Sequence, residues 1–268
     1  MDVKIGQYWP GDSLIHRLDA RTKLIALIIL LVSLLSVKDP ISIALFTVLS
    51  LALIKFAGIP FKVVLRSFKN VIFIVAFAFF MNLFFRAEGE EIIWRFGFLK
   101  ISKEGLAAAF LMSIRILLLV FNSTFFLSLT TRARALADAL EKLLKPLRYI
   151  KVPVSELALM MSIALRFIPT LIDESDRIIK AQASRGGDLD RGGLFKKAKA
   201  FVIILVPLFV SALKRAGDLA LAMEVRCYRG GVGRTSLIES KMKRQDYLFI
   251  AFTLLLALVL IGQAKIRL

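Results

Sequence analysis

Two arginines in this sequence close two similar runs of residues, Ala181-Gln182-Ala183-Ser184-Arg185-Gly186 and Ala222-Met223-Glu224-Val225-Arg226-Cys227-Tyr228. A guanidinium stays charged and offers five donors in a rigid fork, so an arginine at an exposed helix tip can plug a polar groove on another protein. The plainer account is that each arginine complements the negative end of a helix dipole, worth about 0.3 to 1 kcal/mol. The arginine recurs 41 residues on, at the same place in the second run. The remaining constellations fall short of chemistry. Asp173-Glu174-Ser175-Asp176 has the residue types of a metal-binding carboxylate cluster, but such sites need a second acidic cluster on another helix, and a solvated helix face is expected instead. Gly231-Val232-Gly233-Arg234-Thr235-Ser236 lacks the Gly-Lys-Ser/Thr end of a phosphate loop and follows a helix rather than a strand. The single His16 excludes a two-histidine zinc site, and the single Cys227 excludes an internal disulfide. No catalytic residue and no metal ligand is expected.

Those runs need helices to present them. Leu157, Met160, Met161, Ala164, Leu165 and Ile168 recur at helical spacing and predict a helix from Val154 to Arg185, stopped by Gly186-Gly187 in a left-handed cap. A second long helix is predicted from about Lys199 to Tyr228, ended in the same manner at Gly230-Gly231. A shorter one from about Arg132 to Lys145 precedes both, with Pro146 and Pro153 punctuating its exit. Pro169 and Pro207 predict one bend in each long helix. Met160, Met161 and Met223 would suit an adaptable docking surface, although core or lipid contact is the commoner use of methionine.

The rest of the chain is apolar. Of 268 residues 58% are hydrophobic, and the mean hydropathy of +0.74 exceeds what one soluble core of this length can hide. Uncharged stretches at Leu24 to Val37, Ile41 to Ile54, Asn70 to Phe85, Gly105 to Thr131 (interrupted by Arg115) and Tyr247 to Ala264 predict five membrane spans. The first two are short unless Lys23, Lys38 and Lys55 snorkel outward. The N-terminal run reads as a retained anchor rather than a cleaved signal. Arg115 falls about ten residues into the fourth stretch, where a charge is costly and often functional, and is expected near the outer interface or against protein.

Charge sets the topology. The net charge of +18 suits basic loops on the cytoplasmic side and anionic lipid heads, whereas nucleic-acid binding would need aromatics interleaved with basic residues. Residues 132 to 245 carry 22 Lys+Arg against 11 Asp+Glu, while residues 86 to 104 carry four of each. Making residues 153 to 172 and 200 to 213 a spanning hairpin would place seven basic residues, Arg177 to Lys199, outside. The expected fold is therefore an all-α membrane protein with about five transmembrane helices and a cytoplasmic module of three helices, two of them long. The expected division is an N-terminal segment with four spans over 1–131, the cytoplasmic module over 132–245, and the last span over 246–268.

Further residues carry a family resemblance. Arg166-Phe167-Ile168-Pro169, the two arginine runs and Pro207-Leu208 resemble the coupling region of the T component of energy-coupling factor (ECF) transporters. The segment from Gly11 to Leu24 resembles that family's leading segment, with Ala20 where proline is usual. The family's Ala-Arg-Gly signature stands here as Ser184-Arg185-Gly186 and Val225-Arg226-Cys227. Cys227 takes a left-handed conformation less freely than glycine, so the second long helix is expected to run on to Gly230.

The resemblance implies a non-catalytic subunit of an ATP-driven importer of vitamins or other micronutrients. It further implies two cytoplasmic ABC-type ATPases and a membrane-embedded substrate-binding subunit as partners. ATP and magnesium would then belong to the ATPases, with no cofactor on this chain. The competing class is a stand-alone secondary carrier or channel, which would show ionisable residues at mid-membrane depth and paired broken spans. A membrane enzyme would need clustered acids, bases or ligands.

Overall fold

The computed structural model describes residues 9, 11, 13–37, 39–69, 71–85, 92–96, 99–150, 152–185, 193–230 and 242–266. The chain divides into two compact units, one of Ile5–Ala139 with Ser240–Leu268 and the other built on Leu140–Glu239.

In the first unit α1, α2, α3 and α6 each begin where a short polar side chain satisfies a free N–H group. After the single turn α1 (Leu14–Arg17), Asp19 caps α2 (Ala20–Ser36), its carboxylate accepting from the Arg21 amide at 2.9 Å. Asp39 caps α3 (Pro40–Ala57) at the Ser42 amide, 2.8 Å away, with Pro40 in the first helical position. Gly58, at φ 67°, closes α3 in the left-handed conformation. A short α4 (Phe61–Phe68) and α5 (Ile72–Phe85) follow. An antiparallel hairpin then pairs β1 (Ile92–Phe96) with β2 (Leu99–Ser102), Phe96 opposite Leu99 and Ile92 opposite Ser102, with a bulge between Ile92 and Trp94. Ser102 caps α6 (Lys103–Ser123) at the Gly105 amide.

The helix does not stop at Ser123. It widens into a π-helical turn, Thr124–Leu129, before the chain enters α7 (Ala133–Leu144). α10 (Arg244–Ile266) completes the unit. It packs on α2 and α3, and α6 packs on α2, α3 and α5. Leu30, Leu34, Phe46, Phe125, Phe126, Leu129 and Leu260, each at most 2% exposed, fill the centre.

The second unit holds the end of α7, a 3-10 turn (Lys145–Ile150), α8 (Val154–Ser184) and α9 (Leu194–Val225). α8 and α9 pack on each other, and Pro169 and Pro207 lie inside them without ending either. α9 begins five residues ahead of the expected Lys199, because apolar Leu194 and Phe195 already continue its pattern and Gly193 precedes them as N-cap.

The architecture is that of an all-α membrane protein with one small hairpin. Among the described residues five helical stretches are long and apolar enough to cross a membrane: Pro40–Ala57, Lys103–Leu129, Val154–Ser184, Ala200–Val225 and Arg244–Gln263. The number matches the expectation, but the members differ. α2 has 17 residues and α5 has 14, so these expected spans are short. α8 and α9 qualify by length and composition alone, and charge rather than length must decide their topology. Lys23 does not supply the outward snorkelling that would lengthen the first span: its side chain turns inward, leaving it only 3% exposed. Lys55 is exposed as expected, and Lys38 lies outside the described residues.

Candidate functional site

α8 and α9 are amphipathic helices that leave much of their apolar surface bare. Val154 is the one buried residue of α8, and α9 has none among its described side chains. Met160, Phe201, Phe209, Leu213 and Leu221 are between 57% and 64% exposed. Where the two helices meet, Arg215 Nη2 donates to Glu174 Oε2 at 3.3 Å. Glu174 is thus engaged, while Asp173 on the same acidic run is exposed. An apolar cleft of about 260 Å³ opens between them, lined by Ile163, Phe167, Leu171, Ala212, Ala216, Leu219 and Met223 among others. A partly buried ion pair of this kind fixes register more than it adds stability, about 0.2 to 1 kcal/mol.

Both helices end alike. Arg185 is the C-cap of α8 at φ −88°, ψ 10°, and Arg226 is the C-cap of α9 at φ −85°, ψ 13°. Both arginines are exposed. Their neighbours Ala181, Ala183, Ser184, Ala222, Glu224, Val225, Cys227 and Tyr228 are exposed too, whereas Gln182 and Met223 are half-buried. Ser184 Oγ donates back to the Lys180 carbonyl at 3.1 Å, so the hydroxyl is absorbed within its own helix. Gly186 and the expected Gly186-Gly187 stop lie outside the described residues.

The second tip corrects an expectation. α9 stops at Val225 rather than running on to Gly230, and Cys227 adopts the left-handed conformation at φ 58°. The Tyr228 amide donates to Met223 O at 3.0 Å and the Cys227 amide to Glu224 O at 2.8 Å, the paired bonds of a Schellman ending. Two satisfied carbonyls outweigh the left-handed strain of a non-glycine residue, about 1 to 2 kcal/mol.

The family model described as cobalt transport protein, CbiQ, matches residues 11–237. The chain is 47% identical over 252 residues to the energy-coupling factor transporter transmembrane protein EcfT of Ruminiclostridium cellulolyticum, covering 94% of this chain and 93% of that relative. It is 42% identical over 256 residues to the EcfT of Bacillus subtilis, covering 96% of each, and 42% identical over 265 residues to that of Lactococcus lactis, covering 99% of each. This chain belongs to the T-component family of ECF transporters. It is the transmembrane component of such a transporter and a multi-pass protein of the cell membrane.

As a T component, the chain also carries polar contacts that spacing did not reveal. Arg115, in α6, donates from Nη2 to Val37 O at 2.5 Å. Val37 is the C-cap of α2, so the guanidinium meets the negative end of that helix and lies against protein, twelve residues beyond the start of α6. Asn122 Nδ2 donates to Ser50 Oγ at 3.2 Å and joins α6 to α3. The T-component leading segment is a third case. Its Asp19 amide donates to Asp246 Oδ1 at 2.9 Å across 227 residues of sequence. No periodicity marks such a pair. The available sign was that Asp246 and Lys23 are charges placed at the margins of uncharged runs.

Proposed function

We propose that α8 and α9 are coupling helices whose tips each engage one of two cytoplasmic ABC-type ATPases, Arg185 at one and Arg226 at the other. Their bare apolar faces take a membrane-embedded substrate-binding subunit, and ATP-driven movement passes through the helices to it. The chain itself is non-catalytic and carries no cofactor, ATP and magnesium being held by the ATPases. The cargo is a vitamin or another micronutrient. The N-terminus and residues 132 to 245 are cytoplasmic, as the excess of basic residues there requires.

The observation that carries this reading is the near-identical ending of two long exposed helices on an outward-facing arginine. Removing one side of such a charged contact costs about 2 to 5 kcal/mol, or roughly 30-fold and upward in affinity. Copurification from membranes tests it. The unaltered chain should bring two ATPases and a small hydrophobic protein, and the Arg185→Ala/Arg226→Ala chain should lose the ATPases. An undiminished ATPase yield from the double variant would reject the proposal. A carrier reading would need Arg115 for transport, and that guanidinium is already bonded to the Val37 carbonyl.

A further inference from the structure

The leading segment and the end of α6 meet around a buried ammonium group. Lys23, 3% exposed in the first turns of α2, donates from Nζ to Thr130 O at 2.7 Å and to His16 O at 3.2 Å. Thr130 is itself 2% exposed and stands immediately beyond the π-helical turn. The last carbonyls of any helix have no partner within it. Here Leu129 O is taken by the Trp9 amide at 3.1 Å, and Thr130 O by Lys23. Two of the acceptors at the exit of α6 are thus supplied by Trp9 and Lys23.

The same segment reaches the start of α10. Asp246, 3% exposed, accepts from the Asp19 amide at 2.9 Å through Oδ1 and from the Lys243 amide at 2.7 Å through Oδ2. The segment is internally braced as well. His16 Nε2 lies 3.0 Å from Trp9 O, an atom that can only accept, so Nε2 carries the proton. In the neutral ring Nδ1 then accepts from the Ser13 hydroxyl at 2.7 Å. A Cβ on Gly11 would stand 3.0 Å from the His16 ring, leaving little room for any other residue there.

We propose that the described residues of the leading segment, 9, 11 and 13 to 23, form a clamp that fixes the exit of α6 to the start of α10, with Lys23 as its central positioning residue. A buried ammonium is costly unless its donors are occupied, so the exit carbonyl, the His16 carbonyl and the ammonium hold one another in place. The chain leaves the first unit within α7, after Ala139, and re-enters it at Ser240, just ahead of Lys243. The clamp therefore fixes both covalent roots of the segment that contains α8 and α9. Its consequence for transport rests on the coupling function proposed above: force delivered through α8 and α9 is useful only if their two roots cannot slide apart.

The test uses the whole complex in lipid nanodiscs and proteoliposomes, with Lys23→Met preserving length and removing the donors. Amide hydrogen exchange at Trp9 and Asp19 should speed up at least ~10-fold. Substrate uptake per ATP hydrolysed should fall at least ~10-fold while the ATPases stay bound. Unchanged exchange, or unchanged uptake per ATP, overturns the clamp. If Lys23→Met fails to reach the membrane, Asp246→Asn keeps the ammonium and removes one acceptor, and its normal exchange and coupling overturn the clamp equally. Should the unaltered chain not copurify with ATPases, the coupling reading fails instead, and exchange on the chain alone decides the clamp.

Discussion

α6 and α9 are both long and apolar, but the far end of α6 and the turn that follows it bury their aromatic residues, whereas α9 leaves Phe201 and Phe209 exposed. Phe125, in the π-helical turn at the end of α6, is fully buried against its own unit, where Phe121 and Phe126 lie 5.7 and 5.2 Å away centroid to centroid. Phe209, midway along α9, is 60% exposed. Equal apolarity thus serves two ends. In the first unit part of it fills an interior, and in the second it remains available to lipid or to another protein.

The contrast is broken most directly by truncating both rings. Phe125→Ala should destabilise the chain in detergent by about 3 to 5 kcal/mol, measured by denaturant unfolding, because nothing nearby can fill the space. Phe209→Ala should leave the same midpoint within about 0.5 kcal/mol and instead lower the yield of the copurified hydrophobic subunit. Equal losses from the two variants would show that α9 is packed after all.

A middle-sized effect is expected at Arg115. Arg115→Leu deprives the Val37 carbonyl of its donor and should cost about 1 to 3 kcal/mol, read as a lowered Tm. An unshifted Tm would mean that water replaces the guanidinium and that the end of α2 is wet. The smallest effect belongs to the second tip. Cys227→Gly relieves a left-handed non-glycine residue and should stabilise that ending by about 1 kcal/mol. Slower exchange of the Tyr228 amide is the measurement, and faster exchange would contradict the strain argument.

The long helices were legible because their signals are local. The spacing of Leu157, Met160, Met161 and Ala164 marked α8, and the arginine runs marked its end and that of α9. The endings themselves were less so: glycine preference pointed α9 on to Gly230, whereas the pair of bonds from Cys227 and Tyr228 closes it earlier. Strands at Ile92–Phe96 and Leu99–Ser102 passed unseen, since four or five residues with Arg95 and Lys100 among them carry too little alternation to stand out. α4 also passed unseen, its eight residues with Lys62 and Arg66 among them being too few for a helical period to stand out. Lys23 misled for a different reason. A lysine beside an apolar run ordinarily reaches for water, and the carbonyls that draw it inward come from Thr130, 107 positions away, and from His16.

The wide turn at Thr124–Leu129 has a geometric consequence of its own. Its Thr130 amide reaches back five residues to Phe125 O, at 3.1 Å, where an α-helix would reach back four. Each residue of an α-helix swings the chain by about 100° about the axis. Losing one residue here would restore ordinary winding yet aim everything that follows at a different quarter of the compass. The heading on which the chain leaves this turn into α7 is therefore written as a residue count over those six positions.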